Sequence, residues 1–188
     1  LASSGTGAMK AAVANLFSRD EKILVVEGGK FALRWTEIAQ AHGLKTVSLP
    51  VEWGRALDPK DLAAALDADP GIKGVLIQMS ETSTTVQHPI EQTAAITRKR
   101  DLLLVVDGIS GVGIAPCPMD AWGVDCLVTG AQKGLMLPPG LALIALSERA
   151  WKKAESLPFT DFYFDLRKER QNAEKNQTAF TPALSLIA

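Results

Sequence analysis

Hydrophobic and polar positions form two patterns that alternate along the chain. One is a short apolar run rich in β-branched residues, and the other is a longer amphipathic segment. The apolar runs lack the in/out alternation of half-exposed strands, which is typical of strands covered on both faces. These runs cover residues 23–27, 45–49, 74–78, 102–106, 126–130 and 141–146. The segments between them predict helices over residues 6–17, 30–42, 58–66 and 89–100. This alternation predicts an α/β sandwich with a mainly parallel central sheet.

The texture of the sequence changes after the last apolar run. A polar and charged stretch beginning near Leu157 is followed by a new apolar stretch. We therefore expect a sheet domain over residues 1–156 and, over residues 157–188, an exit segment that leads toward a further domain. The chain opens without methionine and stops within an apolar pattern, so we expect it to be a portion of a longer polypeptide.

Composition narrows the classes of function. The 188 residues carry 20 basic and 21 acidic side chains without a basic block, so no nucleic acid is an expected partner. No apolar run approaches the roughly 18 residues of a membrane span, and without a charged segment followed by an apolar one we expect no signal peptide. Cys117 and Cys126 lack a CxxC or histidine setting, so we expect neither a disulfide nor a metal site. Together these features predict a cytoplasmic protein without membrane contacts.

The stretch "SSGTGAMKAAVANLF" places small hydroxyl and glycine residues at the start of a predicted helix. Backbone N–H groups at a helix N-terminus and the helix dipole favour an anion, so Ser4, Gly5 and Thr6 could cradle a phosphate. The alternative is an ordinary helix cap. The stretch matches neither the P-loop nor the dinucleotide motif, because Lys10 occupies the position of the last glycine.

Titratable residues follow two of the predicted strands, where α/β sheets bind their ligands. Asp107 ends the run "LLLVVD" and is either a helix cap or a ligand for a cation. Lys133 lies between the apolar stretches "DCLVT" and "GLMLPPG", so we expect it to be shielded from water. A desolvated lysine has a lowered pKa and can act as a nucleophile. The alternative is a surface lysine in a loop.

The phosphate cradle, the lysine and the strand-end aspartate agree under one hypothesis, a site for pyridoxal 5'-phosphate. Lys133 would form a Schiff base with the cofactor. Asp107 would pair with the pyridine nitrogen and keep it protonated, which makes the ring an electron sink.

The segments "VVDGISGVG" and "DCLVTGAQKGLMLPPGLALIALS" resemble the class V aminotransferases of fold type I, most closely their alanine–glyoxylate and serine–glyoxylate members. "SSGTGAMKAAVANL" and "EKNQTAFTPALSLI" fit the same group. Gln132 stands where the related cysteine desulfurases typically carry histidine. The resemblance implies the large domain of fold type I, a mainly parallel sheet with helices on both faces in a three-layer α/β/α arrangement.

The resemblance also implies roles for individual residues. Lys133 corresponds to the Schiff-base lysine and Asp107 to the partner of the pyridine nitrogen. Gly5, Thr6 and Gln132 correspond to the phosphate anchors. Phe31 corresponds to the aromatic residue that stacks on the ring.

Two further segments correspond to parts of the family's site. In "QMSETSTT", Thr82 is the best candidate to contact the phenolic oxygen of the cofactor, with Ser83 and Thr84 as neighbouring alternatives. In "NQTAFTP", the candidates to reach the phosphate of a neighbouring subunit are Gln177, Thr178 and Thr181. This implies a homodimer with shared active sites.

The activity implied is a ping-pong transamination from a small amino acid, alanine or serine, to a small 2-oxo acid, glyoxylate or pyruvate. The arginine that binds the substrate carboxylate in the family is expected outside this chain, because no motif places Arg34, Arg55 or Arg167 in that role. One alternative is a lyase or desulfurase on the same fold, for which Cys117 is a poor nucleophile candidate. Another is a non-catalytic α/β module that binds phosphate or nucleotide.

Overall fold

The computed structural model describes residues 1–158 and 161–187. Within them the strands are β1 (Lys22–Glu27), β2 (Lys45–Pro50), β3 (Ile72–Gln78), β4 (Ser80–Glu81), β5 (Val86–Gln87), β6 (Leu103–Asp107), β7 (Cys126–Gly130) and β8 (Ala142–Leu146). The α-helices are α1 (Gly5–Leu16), α2 (Lys30–His42), α3 (Pro59–Ala68), α4 (Ile90–Arg98), α5 (Met119–Trp122), α6 (Glu148–Ser156) and α7 (Leu166–Ala173). Every predicted strand and helix is present, with ends that differ by at most two residues. The hairpin β4–β5 and the helices α5, α6 and α7 lie outside the sequence prediction.

One sheet in the described residues has the strand order β2–β1–β3–β6–β7–β8. All neighbouring pairs are parallel except β7 and β8, which are antiparallel. Strand β6 is buried along its whole length, as the unbroken apolar run predicts. The expectation that all six strands are covered on both faces is wrong for β2 and β8, where buried or half-buried positions alternate with more exposed ones. They are the edge strands, so less of the structure covers them.

Helices cover both faces of the sheet, which confirms the predicted three-layer arrangement. On one face, Met9 of α1, Trp35 of α2 and Ala150 of α6 pack in a single apolar cluster. On the other face, Leu62 of α3 and Ile90 of α4 belong to a second cluster. Each of these side chains is almost completely buried.

Local sequence signals set the ends of the helices. Asp58 caps α3 by accepting a hydrogen bond from the backbone N–H of Lys60 at 2.8 Å, and Pro59 occupies the first helical position. Helix α2 ends at Gly43, whose φ of 90° is in the left-handed region that favours glycine.

The segment after residue 160 lies against α1. The side chain of Asn15 donates to the carbonyl oxygen of Phe164 at 2.6 Å and accepts from the N–H of Leu166 at 3.1 Å. Lys10 forms an ion pair with Asp161 at 2.8 Å. The predicted boundary between the sheet domain and the exit segment stays a prediction. Among residues 1–158 and 161–187, no helix has the length and apolar character needed to cross a membrane.

Candidate active site

A cavity of about 210 Å³ opens at the carboxyl edge of β3, β6 and β7, beside the N-termini of α1 and α2. Its lining residues are Ser4, Gly5, Thr6, Phe31, Arg34, Ser80, Thr82, Asp107, Ile109, Ser110, Gln132 and Lys133. All the candidate residues predicted for a single subunit's cofactor site are therefore brought together.

The N-terminus of α1 forms one wall of the cavity. Ser4 is the N-cap residue, and its carbonyl oxygen accepts from the N–H groups of Gly7 at 2.9 Å and Ala8 at 3.2 Å. The hydroxyl of Ser4 does not cap the helix. The helix itself offers no acceptor to the N–H groups of Gly5 and Thr6, so these donors favour an anion in the cavity.

The amide of Gln132 lies beside this helix end. A Cβ placed on Gly130 would be 2.8 Å from Gln132 Oε1 and 3.5 Å from the nitrogen of Gly5, so the space above Gly130 is shared by these groups. Gln132 Oε1 is buried and has no hydrogen-bond partner among the described residues. Rotating the amide exchanges oxygen and nitrogen, which turns this orphaned position into a donor. We call Ser4, Gly5, Thr6 and Gln132 the anion cradle.

Gly5 lets α1 approach the loop that follows β6. A Cβ on Gly5 would lie 2.4 Å from Cδ1 of Ile109, so a larger residue would force that side chain to move. The N–H of Ile109 in turn donates to Asp107 Oδ1 at 2.8 Å. The cradle and the carboxyl group are thus held together by one close packing contact.

Asp107 is buried at the end of β6, and burial raises its pKa from an ordinary value of 3.8 to about 6. The hydrogen bond from Ile109 opposes this rise, the charge of Glu81 adds to it, and the charge of Arg34 opposes it. A carboxylate at this depth is costly to ionise unless a cation is brought beside it. Asp107 therefore favours a ligand with a protonated nitrogen.

This raised pKa predicts how Asp107 affects stability. Because the folded protein holds the proton more tightly than the unfolded chain, the carboxyl group lowers the free energy of unfolding as the pH rises from about 4 to about 6. Across this pH range, in protein free of ligand, we expect the free energy of unfolding of Asp107→Asn to rise by about 3 kcal/mol relative to that of the wild type. Urea unfolding at a series of pH values measures the difference.

Asp20→Asn is the control for this measurement, since its side chain is 83% exposed. It is expected to show no such pH-dependent gain. A constant offset between Asp107→Asn and wild type at every pH would contradict the prediction.

Lys133 is exposed, which corrects the expectation that it is shielded from water. The apolar residues after it do not enter the core, because Leu135 is 37% and Met136 is 90% exposed. The N–H of Met136 donates to the carbonyl oxygen of Lys133 at 2.9 Å, so the lysine begins a turn at the cavity mouth. No hydrogen bond or ion pair to its amine is found within the described residues.

Phe31 lines the cavity at the start of α2. The guanidinium of Arg34 lies 5.1 Å from the centre of its ring, and Arg34 Nη1 donates to Thr6 Oγ1 at 3.0 Å. A hydroxyl that accepts from a guanidinium has its own hydrogen free to donate elsewhere. Arg34 therefore joins the aromatic side of the cavity to the anion cradle.

Thr82 lines the cavity from the turn between β4 and β5. Its hydroxyl is hydrogen bonded to the hydroxyl of Ser110 at 2.5 Å. His88 lies in the loop between β5 and α4 and is buried, and its Nδ1 accepts from the N–H of Leu57 at 3.1 Å. Burial lowers the pKa of His88.

Thr178 and Thr181 do not lie in this cavity. They are exposed and line a separate depression beside Tyr163 and Phe180. Gln177 is exposed as well. Their expected contact with a neighbouring subunit stays a prediction.

The sequence reading missed four of the lining residues, which are Arg34, Ser80, Ile109 and Ser110. Two signals could have found some of them. Arg34 follows Phe31 by three positions on one helix, a spacing that places both side chains on the same face. Ile109 and Ser110 follow the strand-end carboxyl group by two and three positions in the same loop.

The fold and the site together define an α/β protein that presents an anion cradle, a buried carboxyl group and a lysine amine at one sheet edge. The family model described as "Aminotransferase class-V" matches residues 1–181 of the chain. The chain belongs to this family.

The relatives of the chain include proteins named as aminotransferases and one named as a hydrogenase subunit. The chain is 39% identical to the soluble hydrogenase small subunit of Synechococcus sp. over all of its length and 50% of that protein. It is 38% identical to L-aspartate–glyoxylate aminotransferase of Paracoccus denitrificans, covering 98% of this chain and 48% of the relative. It is 36% identical to serine–glyoxylate aminotransferase of Methylorubrum extorquens, with the same coverage. The chain thus spans about half the length of the curated relatives it matches.

A solved structure gives the same result for the fold. The alanine–glyoxylate aminotransferase of Nostoc sp. superimposes with a TM-score of 0.94 and 27% identity, covering 99% of this chain and 50% of that one. The predicted fold class, the large domain of fold type I, is confirmed.

Proposed function

We propose that this chain forms the cofactor-binding part of a pyridoxal 5'-phosphate-dependent aminotransferase. The observation that carries the proposal is the single cavity that contains Lys133, Asp107 and the anion cradle. The substrates are a small amino acid, alanine or serine, and a small 2-oxo acid, glyoxylate or pyruvate. Glyoxylate has the stronger support, because it is common to the three aminotransferase relatives while their amino donors differ.

The cavity fits the cofactor at both ends. At one end, the orphaned amide position of Gln132 and the free N–H groups of Gly5 and Thr6 would receive the phosphate. At the other, Asp107 would receive the proton-bearing ring nitrogen, which would offset the cost of its buried charge. Phe31 offers an aromatic face and Thr82 a hydroxyl for the groups between these ends.

When bound, the cofactor supplies an electron sink that makes the Cα proton of an amino acid labile. The protein's residues do the remaining work. Asp107 would keep the ring nitrogen protonated, and the anion cradle would fix the orientation of the phosphate. Lys133 would hold the cofactor covalently through Nζ until the amino group of the substrate displaces it, and the freed amine could then accept the Cα proton at Nζ and pass it to the cofactor. Lys133 is exposed at the cavity mouth, so its amine is accessible to the cofactor and to the amino acid substrate.

Two alternatives are less well supported. A desulfurase needs a reactive thiol, but Cys117 is not among the residues that line the cavity, and burial raises its pKa, which disfavours the thiolate. A phosphate-binding module explains the anion cradle but leaves Lys133 and the raised pKa of Asp107 without a role.

We also propose that the active protein is a homodimer. A homodimer would bring Thr178 and Thr181 of one subunit toward the cradle of the other. Both threonines are exposed, as such a contact requires of the free surface. Cys117 and Cys126 are both free, which is compatible with a cytoplasmic protein.

The first test is covalent mapping of the cofactor. We expect pyridoxal 5'-phosphate to give the protein a visible absorption band, and borohydride to fix the label on the peptide that contains Lys133. Lys60→Ala, at an exposed lysine of α3, is the matched control and should retain the label. Labelling scattered over surface lysines, with stabilisation by phosphate alone, would favour the phosphate-binding module.

A further inference from the structure

The carboxylate of Glu81 is completely buried although it has no role in the proposed mechanism. It belongs to β4, one residue before Thr82. No ion pair to Glu81 is found within residues 1–158 and 161–187. An unpaired buried carboxylate costs several kcal/mol, so its presence calls for compensation by hydrogen bonds.

The compensation comes from the first turn of α2 and from the turn that carries Thr82. Glu81 Oε2 accepts from the N–H of Ala32 at 2.9 Å, and Oε1 accepts from the N–H of Phe31 at 3.3 Å. Oε1 also accepts from the N–H and the hydroxyl of Ser83, at 3.1 and 2.6 Å. Both oxygens accept and neither donates, which is the pattern of an ionised carboxylate at a helix N-terminus.

Two further features strengthen this junction. The hydroxyl of Ser83 accepts from the N–H of Lys30 at 2.9 Å, which adds a second link between the turn and α2. A Cβ on Gly29 would lie 2.4 Å from Cγ and 2.5 Å from Cδ of Glu81, so the carboxylate occupies space that a side chain would take. The turn and the helix are therefore in direct, close contact.

The junction joins two walls of the cavity that are far apart in sequence. Phe31 and Thr82 both line the cavity, and Glu81 is bonded to the backbone of the first and adjacent to the second. Thr82 is in turn hydrogen bonded to Ser110 in the loop after β6. The relative position of the aromatic face and the hydroxyl thus depends on the Glu81 carboxylate.

We propose that Glu81 is a positioning residue that fixes Phe31 and Thr82 relative to each other, so that the cavity grips the aromatic ring of the cofactor. This inference rests on the proposed function. The anion cradle belongs to α1 and the loop after β7, and its described link to α2 is the bond from Arg34 to Thr6, so the grip on phosphate should depend much less on Glu81.

Charge provides a second consequence of the same placement. The charge of Glu81 acts on the pKa of His88, which follows β5, and on the pKa of Asp107 on β6. The charge of Arg34 on α2 also acts on the pKa of Asp107. Glu81 raises the pKa of Asp107, and Arg34 opposes that rise. Removing the charge of Glu81 should therefore move the titration of Asp107 to lower pH.

The experiment compares two ligands on the protein freed of cofactor, pyridoxal 5'-phosphate by absorbance titration and inorganic phosphate by phosphorus NMR. For Glu81→Gln we expect the affinity for the cofactor to fall about tenfold or more, since an amide cannot accept from all these donors. The affinity for inorganic phosphate should stay within about twofold of wild type. Ser83→Ala keeps the charge but removes one donor, and is expected to show a smaller loss for the cofactor alone.

Glu27→Gln is the matched control. Glu27 is a strand-end carboxylate that is hydrogen bonded to Thr36 and Ser48 and does not line the cavity, so both affinities should match wild type. Equal losses for both ligands in Glu81→Gln would indicate a general disturbance and would overturn the inference. Wild-type affinity for the cofactor in Glu81→Gln would overturn it as well. Failure of the wild-type protein to bind the cofactor on Lys133 would instead remove the proposed function, and this inference with it.

Discussion

Replacing Lys133 with alanine is expected to lower the rate of transamination by at least about 10³-fold, because under the proposed function this one side chain would both hold the cofactor and transfer the proton. The effect should fall mainly on turnover. The anion cradle and Asp107 remain in place in this variant, so the noncovalent affinity for the cofactor should fall less than the rate. Steady-state kinetics and a cofactor titration on the same preparation separate the two effects.

A small primary amine in solution provides a sharper version of this test. Lys133 is exposed, so the space left by its side chain is open to solvent. We expect methylamine to restore part of the activity of Lys133→Ala in proportion to its concentration, and to have no such effect on Lys60→Ala. A Lys133→Ala enzyme that transaminates at the wild-type rate would show that another group performs the proton transfer.

Replacing Asp107 with asparagine is expected to lower the rate by about 10²- to 10³-fold, which is the usual cost of removing one electrostatic stabiliser from an active site. An amide cannot carry the negative charge that, under the proposed function, would keep the ring nitrogen protonated. The same substitution should stabilise the ligand-free protein above about pH 6, as its raised pKa predicts. Loss of activity together with gain of stability is a signature that a misfolded variant cannot reproduce.

The measurement is the rate of amino transfer across a pH series, with Asp20→Asn as the exposed control. Wild type and control should share one profile. An Asp107→Asn enzyme with the wild-type rate and profile would show that the carboxyl group does not act on the cofactor ring.

The sequence is most informative where one physical factor dominates. Residues 74–78 of β3 and the whole of β6 are buried, and the limits of both strands can be predicted within two residues. The edge strands β2 and β8 are only partly covered, so their apolar runs predict more burial than these strands have. Short α5 and the charged α7 lack a long apolar stripe, so periodicity gives no signal for them.

The site shows the same limit. Asp107 and Lys133 could be assigned because the carboxyl ends of parallel strands meet at one edge. The exposure of Lys133 could not, because apolar neighbours such as Leu135 and Met136 can lie at the surface as well as in the core. Arg34 and Glu81 act through contacts across about 28 and 50 positions of sequence, which only the folded chain reveals.

The pairing of residues 1 and 2 with residues 141 and 142 has a consequence for how the protein folds. The N–H of Ala142 donates to the carbonyl oxygen of Leu1 at 2.9 Å, next to the antiparallel pairing of Ala2 with Leu141. Loops of this size close slowly, since they are entropically costly before other contacts form. The cradle at Ser4 can therefore meet Gln132 only late in folding. We expect phosphate affinity to appear in the last refolding phase. Phosphate binding would then report the completion of the fold.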